Sequence, residues 1–166
     1  MQNETHTPIA PDLFREAMSR LGSSVHILAS DGASGRTGAT VSSVCSVSDN
    51  PPTLLVCLNR GTAVNGQVKE NGVFTINTLA HDHTDASNAF AGVGQLPMNE
   101  RFALADWETI ETGAPALKDA RVSFDCKVTQ ITEVGTHSVI FGEVVAVKSS
   151  EQNKALIYMD RNYHAL

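Results

Sequence analysis

A pair of prolines, Pro51 and Pro52, sits between two runs of strand-forming residues and fixes where the chain must turn. Proline cannot donate to a sheet, so neither residue fits inside a central strand. Before the pair, residues 37–47 are small and β-branched, which predicts one long strand. After it, residues 54–58 are apolar and predict a short buried strand. The whole stretch, residues 35–62, reads GRTGATVSSVCSVSDNPPTLLVCLNRGT. Thr40, Ser42, Ser43, Ser46 and Ser48 place hydroxyls along one strand edge. Such residues let a planar ligand approach the backbone and still find hydrogen-bond partners. The stretch closes on Asn59-Arg60-Gly61-Thr62, where a helix is predicted to start and run to Asn71-Gly72. A helix start offers unpaired N–H groups to an anion, and Arg60 adds positive charge. The combination suits a flat, phosphate-bearing ligand such as flavin mononucleotide (FMN).

The rest of the chain is strand-rich. A first helix from Asp12 carries Phe14, Ala17, Met18 and Leu21 on one face and stops at Gly22. Strands are predicted over residues 25–30, 73–79, 137–148 and 155–159, with a short piece at Trp107. Val122, Phe124, Cys126 and Val128 alternate with Ser123, Asp125, Lys127 and Thr129, the period of a half-buried strand. The alternation slips near Gln130 and Ile131, which predicts a bulge. Residues 83–91 predict a short helix closed by Gly92, and residues 92–100 read as a surface loop. Many strands and few, short helices make the chain mainly β, a barrel decorated by helices. The strand–helix alternation of a parallel Rossmann sheet is missing.

At 166 residues the chain can bury one full core. Residues 1–11 are polar and read as a flexible N-terminal arm, and residues 12–166 as a single domain. A net charge of −6 with no run of Lys or Arg argues against nucleic-acid binding. No apolar run approaches ~20 residues, so no membrane helix is expected. No secretion signal is legible, and Cys45, Cys57 and Cys126 lie in apolar runs as small buried hydrophobes. Both features suit a reducing, cytoplasmic compartment. His81-Asp82-His83 has no third ligand near it in sequence, so no metal site is expected. Gly32, Gly35 and Gly38 match neither dinucleotide nor P-loop spacing. His137, opening a strand after Gly135-Thr136, is the most suggestive of the six histidines.

With these residues placed, the chain resembles the short-chain flavin reductase family, the small reductase components of two-component flavin monooxygenases. The resemblance runs from Phe14-Arg15-Glu16-Ala17-Met18 to Tyr163-His164-Ala165-Leu166. It is most specific at residues 39–47 and 51–60, at Phe90-Ala91-Gly92, Arg101-Phe102 and residues 122–126, and at Gly135-Thr136-His137. It implies an FMN-binding split β-barrel of antiparallel, Greek-key type with a few short flanking helices. It also implies a homodimer, FMN or FAD as the flavin, NADH as electron donor, and a separate monooxygenase that receives the reduced flavin. By the same resemblance Thr40, Ser42, Ser43, Cys57, Leu58, Asn59 and Thr62 hold the flavin, and Phe90 and Arg101 close over it. His137 serves as the catalytic residue on the nicotinamide side, with Tyr158 and Tyr163 beside it. The family often carries an acidic residue before that histidine, where this chain has Thr136. Two alternatives share the barrel: a flavin- or haem-binding module without reductase activity, and an oxidase of the pyridoxamine-phosphate type.

Overall fold

The computed structural model describes residues 7–151 and 154–166. Residues 1–6 of the expected arm lie outside that set. The first half holds α1 (Pro11–Ser19), β1 (Ser23–Ser24), β2 (His26–Ser30), β3 (Thr37–Val41), β4 (Val44–Asp49), β5 (Pro52–Asn59), α2 (Ala63–Asn71) and β6 (Val73–Thr78). The second holds α3 (Thr84–Phe90), α4 (Met98–Phe102), β7 (Trp107–Thr109), β8 (Pro115–Leu117), β9 (Val122–Val134), β10 (His137–Ser149), β11 (Leu156–Met159) and β12 (Asn162–Ala165).

Seven strands pair antiparallel in the order β3-β2-β6-β9-β10-β5-β4. β3 and β4 are consecutive in sequence, yet they occupy opposite edges of the sheet. Only Ser42 and Ser43 separate them, so the sheet must curl until its edges meet. At that corner Val44 N–H donates to Ser42 O and Cys57 N–H donates to Ser43 O, each at 3.1 Å. The predicted single strand over residues 37–47 is therefore broken at the two serines. Strand propensity continues through them, but closure of the barrel requires a change of edge there. The result is the mainly β split barrel expected from the sequence.

The core has two parts. Leu28, Val56, Val68, Phe74, Ile76, Cys126 and Ile140 fill the barrel interior. Ile27, Ala29, Leu79, Phe90, Phe102 and Leu117 pack between the barrel wall and the helices outside it. β2 contributes to both, which is why all of its residues are buried.

The bulge near Gln130 is present. Gln130 faces Phe141 and Val128 faces Gly142, so Thr129 is the extra residue. The facing of β9 differs from the simple alternation. Ser123 and Asp125 are fully buried along with Cys126, while Val122 and Phe124 are half-buried. Asp125 accepts from the N–H groups of Glu111 and Thr112 at 2.8 Å and from Thr112 Oγ1 at 2.5 Å. Three donors make a buried carboxylate tolerable and tie the segment before β8 to the sheet.

Residues 92–100 are not a plain loop. They contain a 3₁₀ turn, Val93–Gln95, and lead into α4. Cys126 is buried as expected, but Cys57 is only half-buried and Cys45 is exposed on the edge strand β4. α1 forms where expected, yet Leu13, Phe14 and Met18 on it are exposed. It is anchored by Asp160 N–H donating to Ser19 O at 2.7 Å and by Arg161 on Glu16 at 2.8 Å. Among the described residues, no helix is long and apolar enough to cross a membrane.

Candidate functional site

The corner between β3 and β4 opens into a cavity of about 260 Å³. Its walls include Thr40, Ser42, Ser43, Cys57, Leu58, Asn59, Thr62 and His137. These eight come from three separate parts of the sequence. Strand pairing explains their meeting: Cys57 faces Val139 and Asn59 faces His137 in the β5–β10 ladder. The barrel corner then brings Ser43 against Cys57.

The donor set is mostly uncharged. The Thr40 hydroxyl donates to Ser87 O at 2.6 Å, which fixes its rotamer and leaves its oxygen as an acceptor. Ser42 and Ser43 are exposed at the cavity. Burial pushes the Cys57 thiol above its ordinary range, so at neutral pH it is a neutral, weakly polar wall. Gly38, one turn of the pleat before Thr40, permits a close approach beneath the site. A Cβ there would meet Leu28 O and the Phe90 ring, each at 2.9 Å.

Thr62 stands at the N-cap of α2, but its hydroxyl does not cap the helix. It donates instead to Asn59 O at 2.8 Å, and Asn59 Oδ1 accepts the Gly61 N–H at 2.8 Å. The first-turn N–H groups of α2 thus have no side-chain cap and remain open to an anion. Hydroxyls and backbone edges for a flat heterocycle, and an uncapped helix start for a phosphate, fit a flavin mononucleotide. Arg60 does not take the role the sequence suggested. Its Nε lies 3.1 Å from Glu133 Oε2, and its Nη1 donates to Gly135 O at 3.2 Å.

A second cavity, of about 410 Å³, adjoins the first and shares Thr40, Val41 and Ser42 with it. Tyr158 and Tyr163 line it, their rings meeting edge-on at 5.4 Å. The Tyr163 hydroxyl is 2.7 Å from Ser87 Oγ. Sequence reasoning missed Asn88 and Arg161, which line the same cavity. The signal lay in the Asp160-Arg161 turn between the two tyrosines, where both residues have positive φ.

Phe90 and Arg101 are not brought to either cavity. Phe90 is 3% exposed and packs edge-on against Phe102 and Trp107 at 5.0 and 5.8 Å. Its apolar surface is more stable in that cluster than over an open cavity. Arg101 donates from Nε to Leu96 O at 2.8 Å and holds the turn before α4. A lid made of these two residues is therefore not supported.

The comparisons with known proteins agree with this geometry. A family model described as a flavin reductase like domain matches residues 18–166. The protein of Pantoea ananatis called FMN reductase (NADH) RutF is 50% identical, over 98% of this chain and 85% of its own. The protein of the same name from Stutzerimonas stutzeri is 48% identical, over 96% and 90%. The solved structure of flavin reductase PheA2 superposes with a TM-score of 0.86 at 27% identity, over 95% of this chain and 99% of its own. That of flavin reductase HpaC complexed with NADP+ gives 0.84 at 27% identity, over 95% and 98%. The barrel, the corner cavity and a match over residues 18–166 together place this chain in the flavin reductase like domain family.

Proposed function

We propose that this chain is an NADH-dependent flavin reductase that reduces FMN, or FAD, and supplies the reduced flavin to a separate monooxygenase. One observation carries the reading: two adjoining cavities share the Thr40–Ser42 wall, room for two ring systems side by side. Hydride transfer needs such contact between donor and acceptor rings and needs no general base. The curated relatives named FMN reductase (NADH) support FMN and NADH as the pair. When bound, the flavin supplies the redox chemistry by accepting a hydride.

In this reading the chain supplies position. Ser42, Ser43 and Thr40 meet the polar edge of the ring, with Cys57 and Leu58 beneath it. Asn59 and Thr62 shape the loop that presents the α2 N–H groups to the phosphate. His137, on the rim, meets the nicotinamide nucleotide, and Tyr158 and Tyr163 wall the space it enters. Residues 12–166 act as one unit, in the cytoplasm, as a homodimer. Val44 and Cys45 of the edge strand β4 and the exposed Val147 of β10 line a groove of about 610 Å³, a surface that a second copy would cover.

The purified protein is mixed with NADH without oxygen, with and without added FMN. NADH should be consumed and the yellow flavin bleached only when both are present. NADH left intact beside FMN and FAD for hours would overturn the reading.

A further inference from the structure

His137 follows a two-residue turn, Gly135-Thr136, that joins β9 to β10, with Val134 and His137 paired across it. Gly135 has φ +54, a conformation that two-residue hairpins demand and β-branched residues avoid. Such a turn at a strand tip is normally among the looser parts of a sheet. Here it is held from both sides. Arg60 N–H donates to Thr136 O at 2.9 Å, and Arg60 Nη1 donates to Gly135 O at 3.2 Å. Arg60 Nε also pairs with Glu133 Oε2 at 3.1 Å. The same Oε2 accepts from Ser138 Oγ at 2.7 Å, while Oε1 accepts from Lys69 Nζ at 2.6 Å. Asn65, buried in the first half of α2, donates to Ser138 Oγ at 2.9 Å and to Leu58 O at 3.2 Å.

The bonded residues are Glu133, Gly135, Thr136 and Ser138, which bracket His137 on both sides. At the other end they reach α2 and Leu58, which is in the wall of the flavin cavity. We propose that Arg60 and Glu133 clamp the Gly135-Thr136 turn and so place His137, making Arg60 a positioning residue for the nicotinamide side rather than a ligand of the flavin phosphate. This rests on the reading that His137 meets the nicotinamide nucleotide.

The ion pair is half exposed, so it adds little to global stability. Its effect is geometric. A small misplacement of a positioning group is costly to a reaction even when the fold is intact. Glutamate is held below the ordinary carboxylate range by the Lys69 and Ser138 hydrogen bonds and by the nearby Lys69 and Arg60 charges. The clamp therefore stays charged throughout the neutral range.

The test compares Arg60→Gln, Arg60→Lys, Glu133→Gln and the double variant Arg60→Gln/Glu133→Gln with wild type. Four quantities are measured: the melting temperature, Kd for FMN and for riboflavin, KM for NADH, and deuterium exchange of residues 133–138. Arg60→Gln should keep the melting temperature and both flavin affinities, raise the KM for NADH by about fivefold to tenfold, and speed exchange in the turn. Arg60→Lys should recover part of the loss, because a lysine can pair with Glu133 but lacks the fork that also reaches Gly135 O. The double variant should be no worse than Arg60→Gln alone, since the two residues act as one unit.

Loss of FMN affinity with riboflavin binding unchanged would make Arg60 a phosphate ligand and overturn the proposal. Wild-type exchange together with a wild-type KM for NADH would overturn it as well. His137→Ala separates the two layers of the argument. If that variant keeps the wild-type KM for NADH, the assignment of His137 fails, and the effect of the clamp on catalysis fails with it. If His137→Ala raises the KM while Arg60→Gln and Glu133→Gln do not, the assignment stands and the clamp is wrong.

Discussion

Nδ1 of His137 lies 2.9 Å from Oγ1 of Thr136, its neighbour in the turn. A hydroxyl beside one ring nitrogen fixes the imidazole plane and turns the other nitrogen outward. The bond fixes how the ring sits at the start of β10. Replacing Thr136 with Val keeps the shape and removes the bond. The KM for NADH should rise about threefold, with FMN affinity unchanged, because one hydrogen bond is lost. Steady-state kinetics beside an FMN titration measures both.

Removing the ring itself should do more. His137→Ala should raise the KM for NADH with a smaller fall in kcat, as expected for an interaction common to ground and transition states. A steep fall in kcat with a new pH dependence would instead make His137 a proton donor. Kinetics in NADH at several pH values distinguishes the two.

His26 provides a stability prediction. Burial in the wall behind the barrel corner pushes its pKa down to about 4. Its Nδ1 sits 3.0 Å from Thr78 Oγ1. Between pH 6.5 and 4 the unfolded chain binds a proton here that the folded chain does not. Stability therefore falls as the pH drops through that window, by about 2 kcal/mol at pH 5 relative to pH 7. His26→Gln should flatten this part of the profile. Thermal melts of both proteins between pH 4.5 and 7.5 check it; identical slopes would remove His26 from the account.

The groove along β4 leads to a prediction about assembly. Val147 of β10, in the wall of that groove, is 56% exposed, and the groove runs beside the edge strand β4. Light scattering at micromolar protein should return the mass of two chains. Val147→Glu should shift the mass toward one chain and lower activity. A single-chain mass with full activity in wild type would contradict the dimer.

Much of this was legible in the sequence, for identifiable reasons. The Pro51-Pro52 turn, the α2 boundaries at Thr62 and Gly72, and the slip near Gln130 depend on local chemistry, and local rules find them. The break at Ser42-Ser43 is a different case. Nothing local ends a strand there; the barrel's need to join its two edges does. Phe90 was expected over the flavin from the family resemblance alone, while its burial depends on Phe102 and Trp107 meeting it in space. Arg60 looked like a phosphate ligand because it precedes a helix. Its partner Glu133 lies on β9 and becomes visible only once β9, β10 and β5 are paired. The face of β9 was misread for a related reason: Asp125 is buried because donors from the Glu111–Thr112 segment satisfy it.

The central claim is that the β3–β4 corner and the uncapped start of α2 form the flavin seat. The most direct measurement is the Kd of FMN for Thr62→Glu against wild type, with circular dichroism to confirm the fold. A carboxylate at that position repels the phosphate at the positive end of α2, so FMN binding should weaken by ~2 kcal/mol or more, roughly thirtyfold. Riboflavin, which lacks the phosphate, should bind both proteins alike. Equal FMN affinity in wild type and the folded variant would contradict the account, because glutamate is well tolerated near a helix start and only a bound phosphate would resent it.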